Sequence, residues 1–240
     1  IQNKFKGKEG TKVTVTLFRA STGETLEIEL TRAQIETTTV KGKMLENDIA
    51  YIKITSFKEK TYDQFMKIYK DMKKQNMKGL VIDLRNNLGG LVNVVSDITD
   101  ELVPEGTLVY TIDKQGNRED TVSDKNCVEV PLVLLVNEYS ASSSEIMAGA
   151  VQDMEAGKLV GTQTFGKGLV QGLYFLRDGS ALKITIQKYY TPKGVCIHGV
   201  GITPDYKVEL PEEYQYSVSI PEEKDTQLQK AIDVLKQEIK

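Results

Sequence analysis

Apolar and polar residues alternate from residue 12 to 30 on both sides of "STGE", the period of two that a strand presents, so a hairpin is expected there. Alternation resumes in "IAYIKITSF" and then gives way to helical spacing in "TYDQFMKIYKDMKKQ". In that stretch Phe65, Ile68, Tyr69 and Met72 fall on one face and the lysines on the other. "GLVIDL" is a short apolar run between turn residues; the loop "RNNLGG" and an amphipathic helix in "LVNVVSDITDEL" follow it. "PLVLLVN" repeats the order, leading through "EYSASSS" into the helical "EIMAGAVQDMEAG". Two apolar strands that each pass through a loop into a helix predict crossover units on a largely parallel sheet. Beyond residue 168 the period returns to two in "LVQGLYFL" and "ALKITIQKYY", a hairpin around "RDGS". A terminal helix is expected in "DTQLQKAIDVLKQEI", after Pro221.

Composition narrows the classes. A chain of 240 residues can hold one large domain, or one domain and part of another. With 27% charged residues and a net charge of -3, no basic surface points to nucleic acid. No apolar run approaches the ~18 to 20 residues of a membrane span. The opening "IQNKFKGKEG" starts without Met, does not read as a signal peptide, and is expected to be the edge of something longer. Cys127 and Cys196 fit no metal-ligand spacing and read as free thiols, with a disulfide left open for an extracytoplasmic protein. His198 is the only histidine, which excludes multi-histidine metal sites and leaves one candidate for any Ser-His-Asp triad. Neither a metal nor a cofactor is expected.

"GTQTFGKG" matches the first seven positions of a phosphate loop, but such a loop opens a helix and carries Ser or Thr after its lysine. Here Gly168 follows Lys167 and a strand comes next, so Lys167 needs another role. "EYSASSSEI" places serines where a buried strand turns into a helix, inside the positive end of its dipole. Ser142 and Glu145 also read as a capping box, and Ser140, Ser142, Ser143 and Ser144 compete for any nucleophilic role. A serine needs a base, and a lysine serves only when uncharged, which requires its pKa to fall from ~10.4 through desolvation or nearby positive potential. Lys167, between two glycines and beside Phe165, is the candidate. Gly89 and Gly90 in "DLRNNLGG" can bring backbone amides to an oxyanion, or can serve only as a tight turn.

Together "DLRNNLGG", "NEYSASSSEI", "TFGKGLVQ" and the late "GVGITPD" resemble the carboxyl-terminal processing (tail-specific) proteases, a Ser-Lys family, from about residue 4 to the terminal helix. The resemblance implies an α/β fold, a crotonase/ClpP-like core with a mixed sheet flanked by helices. It implies hydrolysis of peptide bonds near protein C-termini through an acyl-enzyme. Ser142 matches the middle serine of the family's S-A-S-x-S-E run and lies 25 residues before the lysine of F-G-K-G, Lys167. Gln171 matches the third catalytic partner; on a strand 167, 169 and 171 share a face, so Gln171 is expected to orient the lysine amine. Gly89 or Gly90 with Ser143 would form the oxyanion hole, and Glu145 and Asp153 match supporting acidic positions. Residues 1–36 resemble the second half of the family's PDZ domain, ahead of a catalytic domain over 37–240. Ser143 stands where alanine is usual and Leu88 where proline is commoner. The implied partners are proteins or peptides with accessible C-termini, and the implied setting is extracytoplasmic (periplasm, cell envelope or secreted). Membrane association through a segment ahead of residue 1, and oligomer formation, stay open. The alternatives are a catalytically silent peptide-binding scaffold of the same family and an acyl-CoA enzyme of crotonase type.

Overall fold

The computed structural model describes residues 2–33, 37–215, 217 and 220–239, and the chain divides into two units, Ile1–Thr37 and Thr38–Lys240. The first unit holds a short helix α1 (Gln2–Phe5) and the expected hairpin, β1 (Lys12–Arg19) with β2 (Glu24–Thr31). Its register pairs Val13 with Leu30, Val15 with Ile28 and Leu17 with Leu26. One face of the ribbon is therefore apolar up to the Arg19–Glu24 pair at its turn end, and the other carries lysine, threonine and glutamate with Phe18, because strand side chains alternate. The end of the segment read as PDZ-like reaches Gln34 and Ile35, outside the described residues.

The second unit runs β3 (Val40–Met44), β4 (Ile49–Ile54), α2 (Thr61–Lys74), β5 (Gly79–Asp83), α3 (Val92–Asp100), β6 (Gly106–Asp113), β7 (Arg118–Ser123), β8 (Leu132–Val136) and α4 (Ser143–Asp153). It continues through β9 (Lys158–Gly161), β10 (Leu169–Phe175), β11 (Ala181–Tyr190), β12 (Tyr206–Lys207) and α5 (Thr226–Glu238). Six strands form one sheet in the order β12-β9-β8-β5-β4-β3, parallel except for β3. Crossovers cover both faces, so β5 and β8 are buried along their whole length and read as unbroken apolar runs. Leu80, Ile82, Leu132 and Leu134 pack under α2, α3 and α4. Val81, Val133, Leu135 and Val160 meet Leu228, Ile232 and Leu235 of α5 on the other face. Each such side chain contributes roughly 1.5 to 3 kcal/mol on burial.

A second, antiparallel sheet has the order β10-β11-β6-β7. The β10–β11 hairpin and α5 fall where the sequence pattern places them; β3, β6, β7 and β9 do not follow from it. β7, "REDTVS", lies at a sheet edge with only Ser123 buried, and so has no apolar period to read. β9 is four residues long and is sheltered by its neighbours β8 and β12. Both cysteines are free thiols, Cys127 exposed and Cys196 half-buried.

Candidate active site

The loops that leave β5 and β8 at their carboxyl ends are stitched to each other. Asn86 and Asn137 bond reciprocally, Asn86 N–H to Asn137 Oδ1 at 2.9 Å and Asn137 Nδ2 to Asn86 Oδ1 at 3.0 Å. Ser140 Oγ donates to the Leu84 carbonyl at 2.9 Å, Ser143 Oγ to the Gly90 carbonyl at 2.9 Å, and Ser144 Oγ to the Asn87 carbonyl at 2.9 Å. Three of the four competing serines thus spend their hydroxyls bracing the segment that leaves β5, Leu84 to Gly90. Ser142 does not brace it. It is the N-cap of α4, half-buried, with φ 58 and ψ -115. That left-handed backbone is costly for a residue with a Cβ and persists only where its surroundings impose it.

The surroundings are visible. Gly89, at φ 98, lies so near that a Cβ on it would come within 2.7 Å of the Ala141 carbonyl and 2.9 Å of Ser142 Cβ. Asn87 is fully buried; its Nδ2 donates to the Ile54 carbonyl and its Oδ1 accepts the Gly89 N–H, both at 2.9 Å. The Gly89 amide is therefore engaged. The amides of Gly90 and Ser143 have no acceptor among the described residues. Gly90 turns its carbonyl to Ser143, with Phe57 backbone on its other side.

Glu145, with no exposed surface, joins the serine turn to the loop after β9. Its Oε2 accepts the Ser142 N–H and the Lys167 N–H, each at 2.8 Å. Its Oε1 accepts Thr164 Oγ1 and the Gly166 N–H, each at 2.6 Å. All four contacts are donors, which suits an acceptor-only carboxylate. One carboxylate oxygen thus holds the backbones of the two candidate catalytic residues side by side.

The model for Peptidase family S41 matches residues 48–208, which include every loop just described. The chain belongs to peptidase family S41. Within it, a carboxyl-terminal-processing protease of Synechocystis sp. is 38% identical over 97% of this chain and 55% of its own length. Carboxy-terminal processing protease CtpA of Bacillus subtilis is 37% identical over 87% of this chain and 45% of that protein. Among solved structures, a photosystem II D1 C-terminal processing protease superposes with TM-score 0.68 at 33% identity, covering 85% of this chain and 58% of that one. The chain spans about half the length of the curated relatives it matches.

Other residues of this S41 chain depart from the expected arrangement. Lys167 is exposed, and its Nζ has no hydrogen bond or ion pair among the described residues, so the shelter expected for an amine base is absent here. Gln171 is exposed too, and a register shift between Val170 and Gln171 interrupts the alternation that would align it with Lys167 and Leu169. Asp153 sits at the far end of α4, where its Oδ2 accepts the Lys193 N–H at 2.8 Å, a turn-holding role away from Ser142. His198, exposed, lies on the loop that packs against Gly166 and Gly168. Thr164, Asn87 and Asn137 went unnoticed in the sequence. Thr164 Oγ1 both donates to Glu145 and accepts the Ile202 N–H at 2.7 Å, a partner 38 residues away that local pattern cannot reveal.

Proposed function

We propose that this chain is the catalytic part of a serine endopeptidase that cleaves near protein C-termini, with Ser142 as nucleophile and Lys167 as base. The observation that carries the reading is the Ser142 turn: the one serine of four that does not brace the neighbouring loop, in a strained backbone at a helix N-terminus, bracketed to Lys167 through Glu145. As Ser142 Oγ bonds to the scissile carbonyl carbon, its proton passes to Lys167 Nζ. The amides of Gly90 and Ser143 receive the oxyanion. The protonated amine then gives its proton to the leaving nitrogen as the C–N bond breaks. Water attacks the acyl-enzyme by the same route, its proton going to Lys167, and the departing Ser142 oxygen is reprotonated. Gly89 supports this site through its lack of a side chain, since its amide is held by Asn87. Exposed Leu88, Leu91, Tyr139 and Phe165 on these loops suit an apolar polypeptide, and a seated peptide would remove water from the lysine.

A serine-directed organophosphonate tests the reading. It is expected to form one adduct, on Ser142, by peptide mass spectrometry. Labelling at Ser140 or Ser144 instead, or at none, would favour the silent scaffold. A second expectation concerns Glu145→Gln: at whichever oxygen its NH₂ replaces, two donors face a donor. Urea unfolding should show a loss of about 2 to 4 kcal/mol, and kcat on an unfolded protein should fall at least about tenfold at similar KM. Parent-like stability and turnover would remove Glu145 from its bracing role.

The apolar face of the β1–β2 ribbon supports reading residues 1–36 as part of a PDZ-type domain, because a two-stranded ribbon needs a further layer to be stable in water. The family resemblance supports an extracytoplasmic setting. No helix among the described residues is long and apolar enough to cross a membrane.

A further inference from the structure

We propose that β10 is where the substrate's main chain docks: an extended, apolar peptide pairs with this open sheet edge as an added strand, its scissile bond directed toward Ser142. The fate of the peptide rests on the Ser142–Lys167 reading; its place does not. β10 begins two residues after Lys167, lies at the edge of its sheet and pairs only with β11. Among the described residues no backbone hydrogen bond is made on its other side. An edge of this kind presents unpaired amides and carbonyls, and proteins ordinarily guard it with charge or proline.

The two edges of this one sheet differ in that respect. β7, at the far edge, reads "REDTVS" and carries Arg118, Glu119 and Asp120. β10 reads "LVQGLYF", with no charge and no proline; the register shift at Val170/Gln171 is its only irregularity. Leu173 is 56% exposed and Phe175 78%. They share one face, while the Tyr174 ring covers Gly172 on the other, where a Cβ would lie 2.8 Å from it. Alternate apolar side chains of a peptide can thus be read by Leu173 and Phe175 while its backbone supplies the affinity. Charge favours the same occupant. Residues 167–190 carry Lys167, Arg177, Lys183 and Lys188 against Asp178 alone, in a chain of net charge -3, which suits a peptide that is neutral or ends in a free carboxylate. A strand laid here passes over Lys167 and excludes water from it.

The test uses the Ser142→Ala chain, which holds a peptide without cutting it. Anisotropy is read on a labelled extended apolar peptide with a free carboxylate, N-methylated at one residue at a time. Strand addition predicts a period of two: methylation at alternate residues weakens binding about tenfold and at intervening ones little. Leu173→Lys and Phe175→Lys should weaken it similarly, and Val122→Lys, on the guarded edge, should not. Methylation without periodicity, equal effects of Val122→Lys and Phe175→Lys, or no binding at about 1 mM peptide overturns the proposal. So does a dimer that Phe175→Lys dissociates while peptide binding persists, since a second copy would then cover β10. Hydrolysis by the unaltered chain is scored apart. Periodic binding without cleavage sinks the peptidase reading and leaves β10 standing; cleavage without periodicity does the reverse.

Discussion

Lys167→Ala is expected to lower turnover of an unfolded protein by about 10²- to 10⁴-fold, the range a positioned general base supplies, with an unchanged urea transition. The second half of that expectation is structural. Lys167 is exposed and its Nζ contacts no partner among the described residues, so trimming it removes no packing and no ion pair. The contact that fixes the loop, Lys167 N–H to Glu145, is made by the backbone and survives in alanine. Loss of activity with loss of stability would therefore point away from a base. His198 supplies the control, because the only histidine lies on a loop packed against Gly166 and Gly168. His198→Ala should retain most of the parent's kcat/KM. If the histidine variant is silent and the lysine variant active, the base has been misassigned.

Arg85→Ala is expected to cost about 3 to 5 kcal/mol, the usual loss when one partner of a buried ion pair is removed. Arg85 is 5% exposed and lies between Asp83, fully buried, and Asp225. Its Nε donates to Asp83 Oδ1 at 2.9 Å, its Nη2 to Asp83 Oδ2 and Asp225 Oδ2 at 2.8 Å, and its Nη1 to Asp225 Oδ1 at 2.9 Å and Gln227 at 3.0 Å. The guanidinium thereby ties the end of β5 to the N-cap of α5, where Asp225 also accepts the Leu228 N–H. Without it two buried carboxylates lose the cation between them, Asp83 keeping only Lys53 and Tyr51, and the midpoint of thermal unfolding should fall by on the order of 10 °C. Arg85→Lys should restore only part, since an ammonium cannot span both carboxylates as the fork does.

The same cluster sets an acid limit. Burial pushes the Asp83 carboxyl up, but the Arg85 charge and hydrogen bonds, with help from Lys53 and Tyr51, outweigh it and hold the group at about 2. Its folded value lies below its unfolded value near 3.9, so its contribution is complete above about pH 4 and is lost as pH falls toward 2. In Arg85→Ala that particular loss should vanish. Urea midpoints from pH 5 to 2 check it: an Arg85→Ala curve parallel to the parent's would mean that Asp83 is not the group being protonated.

Sequence periodicity located β4, α2, β5, α3, β8, α4, the β10–β11 hairpin and α5, because each carries an apolar run or stripe long enough to show its own period, buried in all but the hairpin. It could not show β7, which is polar at an edge, or β9, too short to display a period. The candidate site divides in the same way. Spacing within one turn or one loop carries a Ser-x-x-Glu cap, two glycines after a strand and a lysine between glycines, and those local features are what the family resemblance is made of. Which serine is left over is another matter. That follows from Ser143 and Ser144 reaching back 53 and 57 residues to the "RNNLGG" loop, from Glu145 reaching 22 residues forward to Lys167, and from Arg85 meeting Asp225 across 140. The Gly89 amide, a candidate oxyanion donor by sequence, is occupied by Asn87, two residues away, whose side chain Ile54 holds in place. Periodicity and cap spacing are local energies written along the chain. A hydrogen-bond partner across the sheet exists only once folding has met the loop-closure entropy that separates them, so the choice among equivalent residues belongs to the tertiary structure.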